Sequence, residues 1–206
     1  AVQFTGALND NVFKNALVML IAFAATKAGG GAETLLNLCA ALFILPFFLF
    51  SATAGQIAEK FDKARLIQVI KAAEIVVMVL VPIGFWLESI GFLIFVLFLM
   101  GAQSAFFGPV KYSLLPQILK EEELIGGNGL VELGTFLAIL IGTIAGGVIA
   151  TLGGHETLIS MAVVALAVIG FAFSLAMPAS PATVPDLRID WNILRTTFRG
   201  MEMASE

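Results

Sequence analysis

The chain has 206 residues, 59% of them apolar and only 13% charged, with a mean hydropathy of +1.00. Soluble domains carry charge on about a quarter of their residues, so the composition excludes an ordinary soluble domain and indicates a polytopic membrane protein. The net charge of -4 decides little, because the placement of Lys and Arg, not their sum, orients a membrane chain.

The first apolar stretch, Phe4 to Thr26, is long enough to cross a hydrocarbon layer, which needs about 20 residues in a helix. Its first half nevertheless holds Asn9, Asp10, Asn11, Lys14 and Asn15. Asp10 and Lys14 are four apart, so they stand one turn above each other and can pair, acid first. Asn11 and Asn15 repeat that step about 100° further round. The four make a polar wedge on one face of an otherwise greasy span. Two readings stand: a structural ion pair near the end of the helix, or a polar site lining a cavity. Ionisable groups inside a bilayer normally face a bundle interior or a water-filled cavity. Four polar side chains on one arc exceed what one pair needs, which favours the cavity.

Five more spans follow in order: Thr34–Ala58, Leu66–Leu87 with a kink at Pro82, Ile90–Leu114 interrupted at Gly108-Pro109, Leu130–Leu152, and Thr157–Met177. Short loops predict that consecutive helices are antiparallel neighbours. The fold class expected is all-α, a six-helix membrane bundle over residues 1–178. Residues 179–206 read as a linker with a short amphipathic helix on the membrane surface. Lys60, Lys63, Arg65, Lys71, Lys111, Lys120, Arg188, Arg195 and Arg199 fall on one side if the hairpins alternate, leaving Lys27 alone on the other. The positive-inside rule then puts both ends in the cytoplasm.

Small residues thin the fourth and fifth spans. Gly142 and Gly146 form a GxxxG pair suited to close helix contact, and tight packing is preferred here over substrate contact. Glu74 lies about 12 Å into the third span, counted from Leu66 at 1.5 Å per residue, with Lys71 as a partner three residues earlier. Glu132 lies near the start of the fifth. Each fits a structural salt bridge or a polar path equally well.

Catalytic constellations are missing. The single histidine, His155, sits in a loop, and Ser160 follows where a His-x4-Asp acyltransferase motif would need its acid. The chain has one Cys, Cys39, so neither an internal disulfide nor a Cys/His metal spacing can form. Gly29-Gly30-Gly31 lacks the Lys-Ser/Thr of a phosphate loop. Scattered basic residues argue for topology and against nucleic acid. No enzyme activity, cofactor or metal is expected.

The loop Gly55-Gln56-Ile57-Ala58-Glu59-Lys60-Phe61-Asp62-Lys63-Ala64-Arg65 resembles the cytoplasmic signature of the major facilitator superfamily, G-x-L-A-D-R-F-G-R-R-R. Glu59 replaces the usual Asp and Asp62 the second Gly. The glycine run of the fifth span is similar to a reduced antiporter motif without its Pro after Gly146. Within that superfamily, Phe4 to Lys14 is similar to the F-x-x-x-N-D-N-x-x-K opening of the lysophospholipid transporter family. Phe107-Gly108-Pro109-Val110-Lys111-Tyr112-Ser113-Leu114-Leu115-Pro116 resembles its F-G-P-x-K-Y-x-x-L-P turn, and Gly126-Gly127-Asn128-Gly129-Leu130 is similar to its A-N-G-L continuation.

The resemblance implies half of a twelve-helix fold, so the chain is read either as a fragment whose other six-helix half is absent, the preferred reading, or as a half that dimerises. It implies flipping of lysophosphatidylethanolamine-type lipids across the bacterial inner membrane for re-acylation, with an acyltransferase and acyl-carrier-protein synthetase fused or encoded nearby. Under that reading Asp10, Asn11, Lys14 and Asn15 bind the head group. Glu59, Lys60, Asp62, Lys63, Arg65 and Lys111 form gate contacts as the halves rock, and membrane lipids are the remaining partners. Two alternatives are a facilitator for another small solute or drug, and a non-transporting membrane module that docks a fused acyltransferase.

Overall fold

The computed structural model describes residues 1–27, 32–192 and 195–196. They form α1 (Val2–Lys27), α2 (Ala32–Lys60), α3 (Lys63–Trp86), α4 (Ile90–Ile118), α5 (Leu124–Thr151) and α6 (His155–Leu175), with a 3-10 turn at Glu121–Glu123. No strand forms among the described residues. Side-chain caps start two of the helices, satisfying amides that the helix itself leaves free. Asp62 accepts from the Arg65 amide at 2.8 Å, and Ser89 from the Phe92 amide at 3.2 Å.

Helices α2 to α6 are long and apolar enough to cross a membrane. α1, expected as a span, is not among them. Its 26 residues reach about 39 Å, so length suffices, but the polar wedge lowers its hydropathy. Two expected boundaries also move. α4 runs unbroken through Gly108-Pro109 to Ile118. Proline removes one helical hydrogen bond and crowds the carbonyl four residues back, yet Ala105, Phe107, Val110 and Leu114 are buried on both sides of it and hold the helix in place. α5 starts at Leu124 rather than Leu130, because glycine weakens a helix by only about 1 kcal/mol each and Gly127 packs against Leu119.

Short loops turn out to be a poor guide to neighbours. α1 packs chiefly on α5, α2 on α4, and α3 on both α6 and α4, while α1–α2 and α2–α3 touch little. Exchanging the triplet α1, α2, α3 with α4, α5, α6 maps this pattern onto itself. The α1–α5 contact becomes α4–α2, α1–α6 becomes α4–α3, and α3–α6 is unchanged. Such internal symmetry is the build of transporter halves.

Glycine sets the partners. In a bilayer apolar helices gain little by hiding from lipid, so close approach and dispersion select contacts. A Cβ on Gly146 would lie 2.4 Å from the Val12 carbonyl oxygen, and one on Gly101 the same 2.4 Å from that of Phe43. The α5–α1 and α4–α2 contacts, equivalent under the exchange, therefore rest on the same device. Between them Phe13, Leu17 and Ile21 of α1 meet Met78 and Val81 of α3, Met100 of α4, and Ile159 and Val163 of α6. Large apolar side chains such as Phe48, Val76, Trp86, Phe136 and Ile144 face outward, as a lipid-facing belt requires.

After α6 the chain turns back under the bundle. Residues 179–192 form no helix, and the surface helix expected in this tail falls largely on 193–194 and 197–206, outside the described residues.

Candidate functional site

The polar wedge of α1 borders a cavity of about 600 Å³, walled by Gln3, Asp10, Asn11 and Lys14 of α1, Phe43, Phe47 and Ser51 of α2, and Lys71 of α3. Gln103, Ser104, Phe107, Lys111 and Tyr112 of α4 close it on one side, with Thr135 and Ile139 of α5 on another. The Asp10–Lys14 spacing allowed a pair, but among the described residues no ion pair joins them. Each has a partner on another helix instead. Asp10 Oδ2 accepts from the Ser104 hydroxyl at 2.6 Å, and Lys14 Nζ stands over the Phe43 ring, 5.1 Å from its centroid. Asp10 Oδ1 is buried without a hydrogen-bond partner. Asp10 and Lys14 thus line the wall one turn apart without pairing, while the acid's second oxygen lies buried and without a partner.

The wedge itself splits. Asn11 turns back on its own helix, donating to the Ala7 carbonyl at 2.8 Å, and still lines the cavity. Asn15 donates to the Asn11 carbonyl at 2.8 Å and to Thr143 Oγ1 at 3.1 Å. It faces α5 and is absent from the cavity wall.

Beside Asp10 lies a second cluster, built on a fully buried ion pair. Lys71 and Glu74 pair at 2.6 Å, each 1% exposed. Glu74 also accepts from Asn9 Nδ2 at 2.9 Å and from Gln103 Nε2 at 3.3 Å. Lys71 Nζ sits 5.2 Å from the Phe107 ring centroid. Room for its ammonium exists because α1 carries glycine there: a Cβ on Gly6 would lie 2.5 Å from Nζ, while Gly170 of α6 lies in ordinary contact distance, its Cβ position 3.6 Å away. Four helices are joined at one charged point. Asn9 and Gln103 were not singled out by spacing, and Ser104 and Thr135 were expected only among the small residues that thin the fourth and fifth spans. A Gln-Ser pair inside an otherwise apolar span was the signal available for α4.

The expected gate residues divide into two groups. Lys111 reaches Glu132 at 3.4 Å and stands over the Tyr112 ring at 4.2 Å, while Tyr112 donates to the same Glu132 oxygen at 2.5 Å. This triad ties α4 to α5 at the cavity rim. The α2–α3 loop instead holds the returning tail. The Lys63 amide donates to the Ser180 carbonyl at 2.9 Å, and Lys63 Nζ donates to Thr183 Oγ1 at 2.8 Å and to the Pro181 carbonyl at 3.4 Å. Asp62 Oδ2 accepts from the Ser180 amide at 3.2 Å. The Glu59 carbonyl accepts from the Thr183 and Val184 amides at 2.9 and 3.0 Å. Lys63 is fully buried beneath this strap. Lys60 is half-buried beside Phe61, 5.9 Å from its ring centroid, while the Arg65 side chain is exposed.

A helix bundle built of two exchangeable triplets around a charged cavity has the architecture of a secondary transporter half. Residues 2–197 match the Major Facilitator Superfamily, and the chain belongs to it. It is 30% identical over 196 residues to the lysophospholipid transporter LplT of Escherichia fergusonii, and 32% identical over 184 residues to that of Serratia proteamaculans. The LplT of Escherichia coli K12 is 29% identical over 202 residues. The first two matches cover 95% and 89% of this chain but 45% and 43% of the relatives. The chain therefore spans less than half the length of the curated relatives it matches.

Proposed function

We propose that the chain is the N-terminal half of a lysophospholipid transporter, which moves lysophosphatidylethanolamine-type lipids across a bacterial inner membrane by alternating access, for re-acylation. The observation that carries this reading is the cavity wall of α1, where Asp10 and Lys14 stand one turn apart with neither satisfied by the other. A zwitterionic head group supplies what both lack: an ammonium for the Asp10 carboxylate and a phosphate for the Lys14 ammonium. Charge-assisted hydrogen bonds of this kind are about twice as strong as neutral ones. Asn11 adds a polar edge to the same wall, and Asn15 supports the helix against α5.

In this reading all six helices span the bilayer, both ends of the segment are cytoplasmic, and a second six-helix half closes the cavity. Sequestering the polar face of α1 among the other helices offsets its low hydropathy. The Lys111–Glu132–Tyr112 triad and the charged α2–α3 loop form the cytoplasmic gate, and Glu74 and Lys71 anchor the cavity floor. An acyltransferase, fused or separate, consumes the imported lysolipid.

The test is uptake of labelled lysophosphatidylethanolamine by the full-length protein in right-side-out spheroplasts that lack their own lysolipid transporter, with coexpressed acyltransferase as the trap. Diacyl product should accumulate, and Asp10→Asn should reduce it about tenfold or more, the loss of one charge-assisted bond of roughly 1.5–3 kcal/mol. No product from a folded, inserted protein would sink the lipid reading and direct the search to small solutes. Unchanged product in Asp10→Asn would remove Asp10 from the site.

A further inference from the structure

A lysolipid has one acyl chain that must go somewhere while its head is in a polar cavity. The head-group wall leads directly into a second space. A crevice of about 270 Å³ lies between α1 and α2, lined by Lys14, Val18, Leu36, Cys39, Ala40, Phe43 and Ile44. Lys14 and Phe43 border both this crevice and the main cavity, and the Lys14 ammonium sits over the Phe43 ring where the two meet. Apart from that ammonium, every side chain lining the crevice is apolar or a thiol. It exists because α1 and α2 touch little, each being drawn to a glycine-bearing partner elsewhere.

Resting on the lysolipid reading above, we propose that the α1–α2 crevice is the acyl-chain subsite, with Lys14 at its mouth holding the phosphate that joins chain to head. The order of chemistry along the wall matches the order along the ligand. Asp10 meets the ammonium, Lys14 one turn on meets the phosphate, and the slot beyond Lys14 meets the hydrocarbon. Leu36 to Ile44 lie about 6 to 18 Å along α2 from Ala32, at 1.5 Å per residue. That places the slot toward the end of the bundle opposite the termini. With the termini cytoplasmic, the bound lipid points its head inward and its tail toward the outer half of the membrane. This is the orientation of a lipid already turned for the inner leaflet. Ile44 is half exposed at the lip, so a long chain can trail from the slot into lipid without being fully enclosed.

The experiment compares octanoyl, lauroyl and palmitoyl lysophosphatidylethanolamine in the same spheroplast assay, using full-length wild type, Ala40→Trp to fill the slot and Val18→Ala to widen it. In Ala40→Trp, uptake of the palmitoyl lipid should fall about tenfold or more, the equivalent of two methylenes excluded from burial. Octanoyl uptake should stay within about twofold, since a chain that fits the remaining space loses no buried methylene. Val18→Ala should move the preference toward longer chains, and it reads the slot even where the tryptophan variant fails to fold. Equal loss for all three lipids, or no change in chain-length profile in either variant, would overturn the subsite and leave the crevice to a side chain of the other half. Wild type that takes up none of the three would instead overturn the lysolipid reading itself.

Discussion

Glu74 shows how a charge survives at this depth. Its carboxylate collects donors from Asn9 of α1, Lys71 of α3 and Gln103 of α4. A buried charge of this kind is tolerable only when paired and further hydrogen-bonded. Lys71→Met should therefore destabilise the protein by about 3–5 kcal/mol, because it strands the carboxylate. The double substitution Lys71→Met/Glu74→Leu should cost clearly less than Lys71→Met alone, since replacing both charges removes the desolvation penalty as well. Thermal unfolding of the purified variants in detergent reads the difference, and a double variant as weak as the single one would contradict it. The spacing of Lys71 and Glu74 along α3 already pointed to this pair. Asn9 and Gln103 as its further partners were not legible, because they meet across helices whose rotation no spacing within one helix reports. The same limit applies to Asp10 and Lys14. Their i, i+4 spacing permits a pair, and Ser104 and Phe43 on other helices outcompete it.

Among the elements, the α2–α3 loop was recognisable as a signature, and its charges read naturally as gate contacts. What that pattern hid was the strap. Residues 180–184 cross the loop and satisfy Asp62, the Lys63 amide and ammonium, and the Glu59 carbonyl, while Asp190 donates its amide to Gln56 at 2.8 Å. A buried lysine under a chain segment holds that segment by a charge-assisted bond, and removing the charge leaves Thr183 and Pro181 without it. Lys63→Met should thus loosen the strap. In a Ser180→Cys background, with Ser180 only 2% exposed, thiol labelling by a small maleimide should become several-fold faster. Cys39, buried at 1%, supplies a slow internal background. An unchanged labelling rate would mean that the backbone bonds alone hold the segment. Glycine pairing was legible in part: Gly142 and Gly146 announced close packing, but not that α1 would be the helix they meet. Their partner is set by close backbone approach to Leu8, Val12 and Ala16 of another helix, which is visible only once contacts are known.

At the scale of the molecule, hydropathy and charge placement exposed the all-helical membrane class and the number of helices, but not the weakness of the first. α1 is the least apolar of the six helices and lines the cavity with its polar face, so under the proposed six-span reading its place in the bilayer depends on the helices packed around it. The orientation can be tested independently of transport. Basic residues cluster at the α2–α3 loop, the end of α4 and the tail, and such an excess of Lys and Arg in short loops marks the cytoplasmic side. Single cysteines at Ser89 and Glu156, at the α3–α4 and α5–α6 turns, should react with a membrane-impermeant maleimide added outside intact spheroplasts. Cysteines at Glu122 and Asp186 should react only after permeabilisation. Reaction of Glu122→Cys from outside would invert the bundle. It would also place the proposed head-group wall and the proposed acyl slot in the wrong order for a lysolipid bound for the inner leaflet, so one labelling pattern constrains both the topology and the proposed direction of transport.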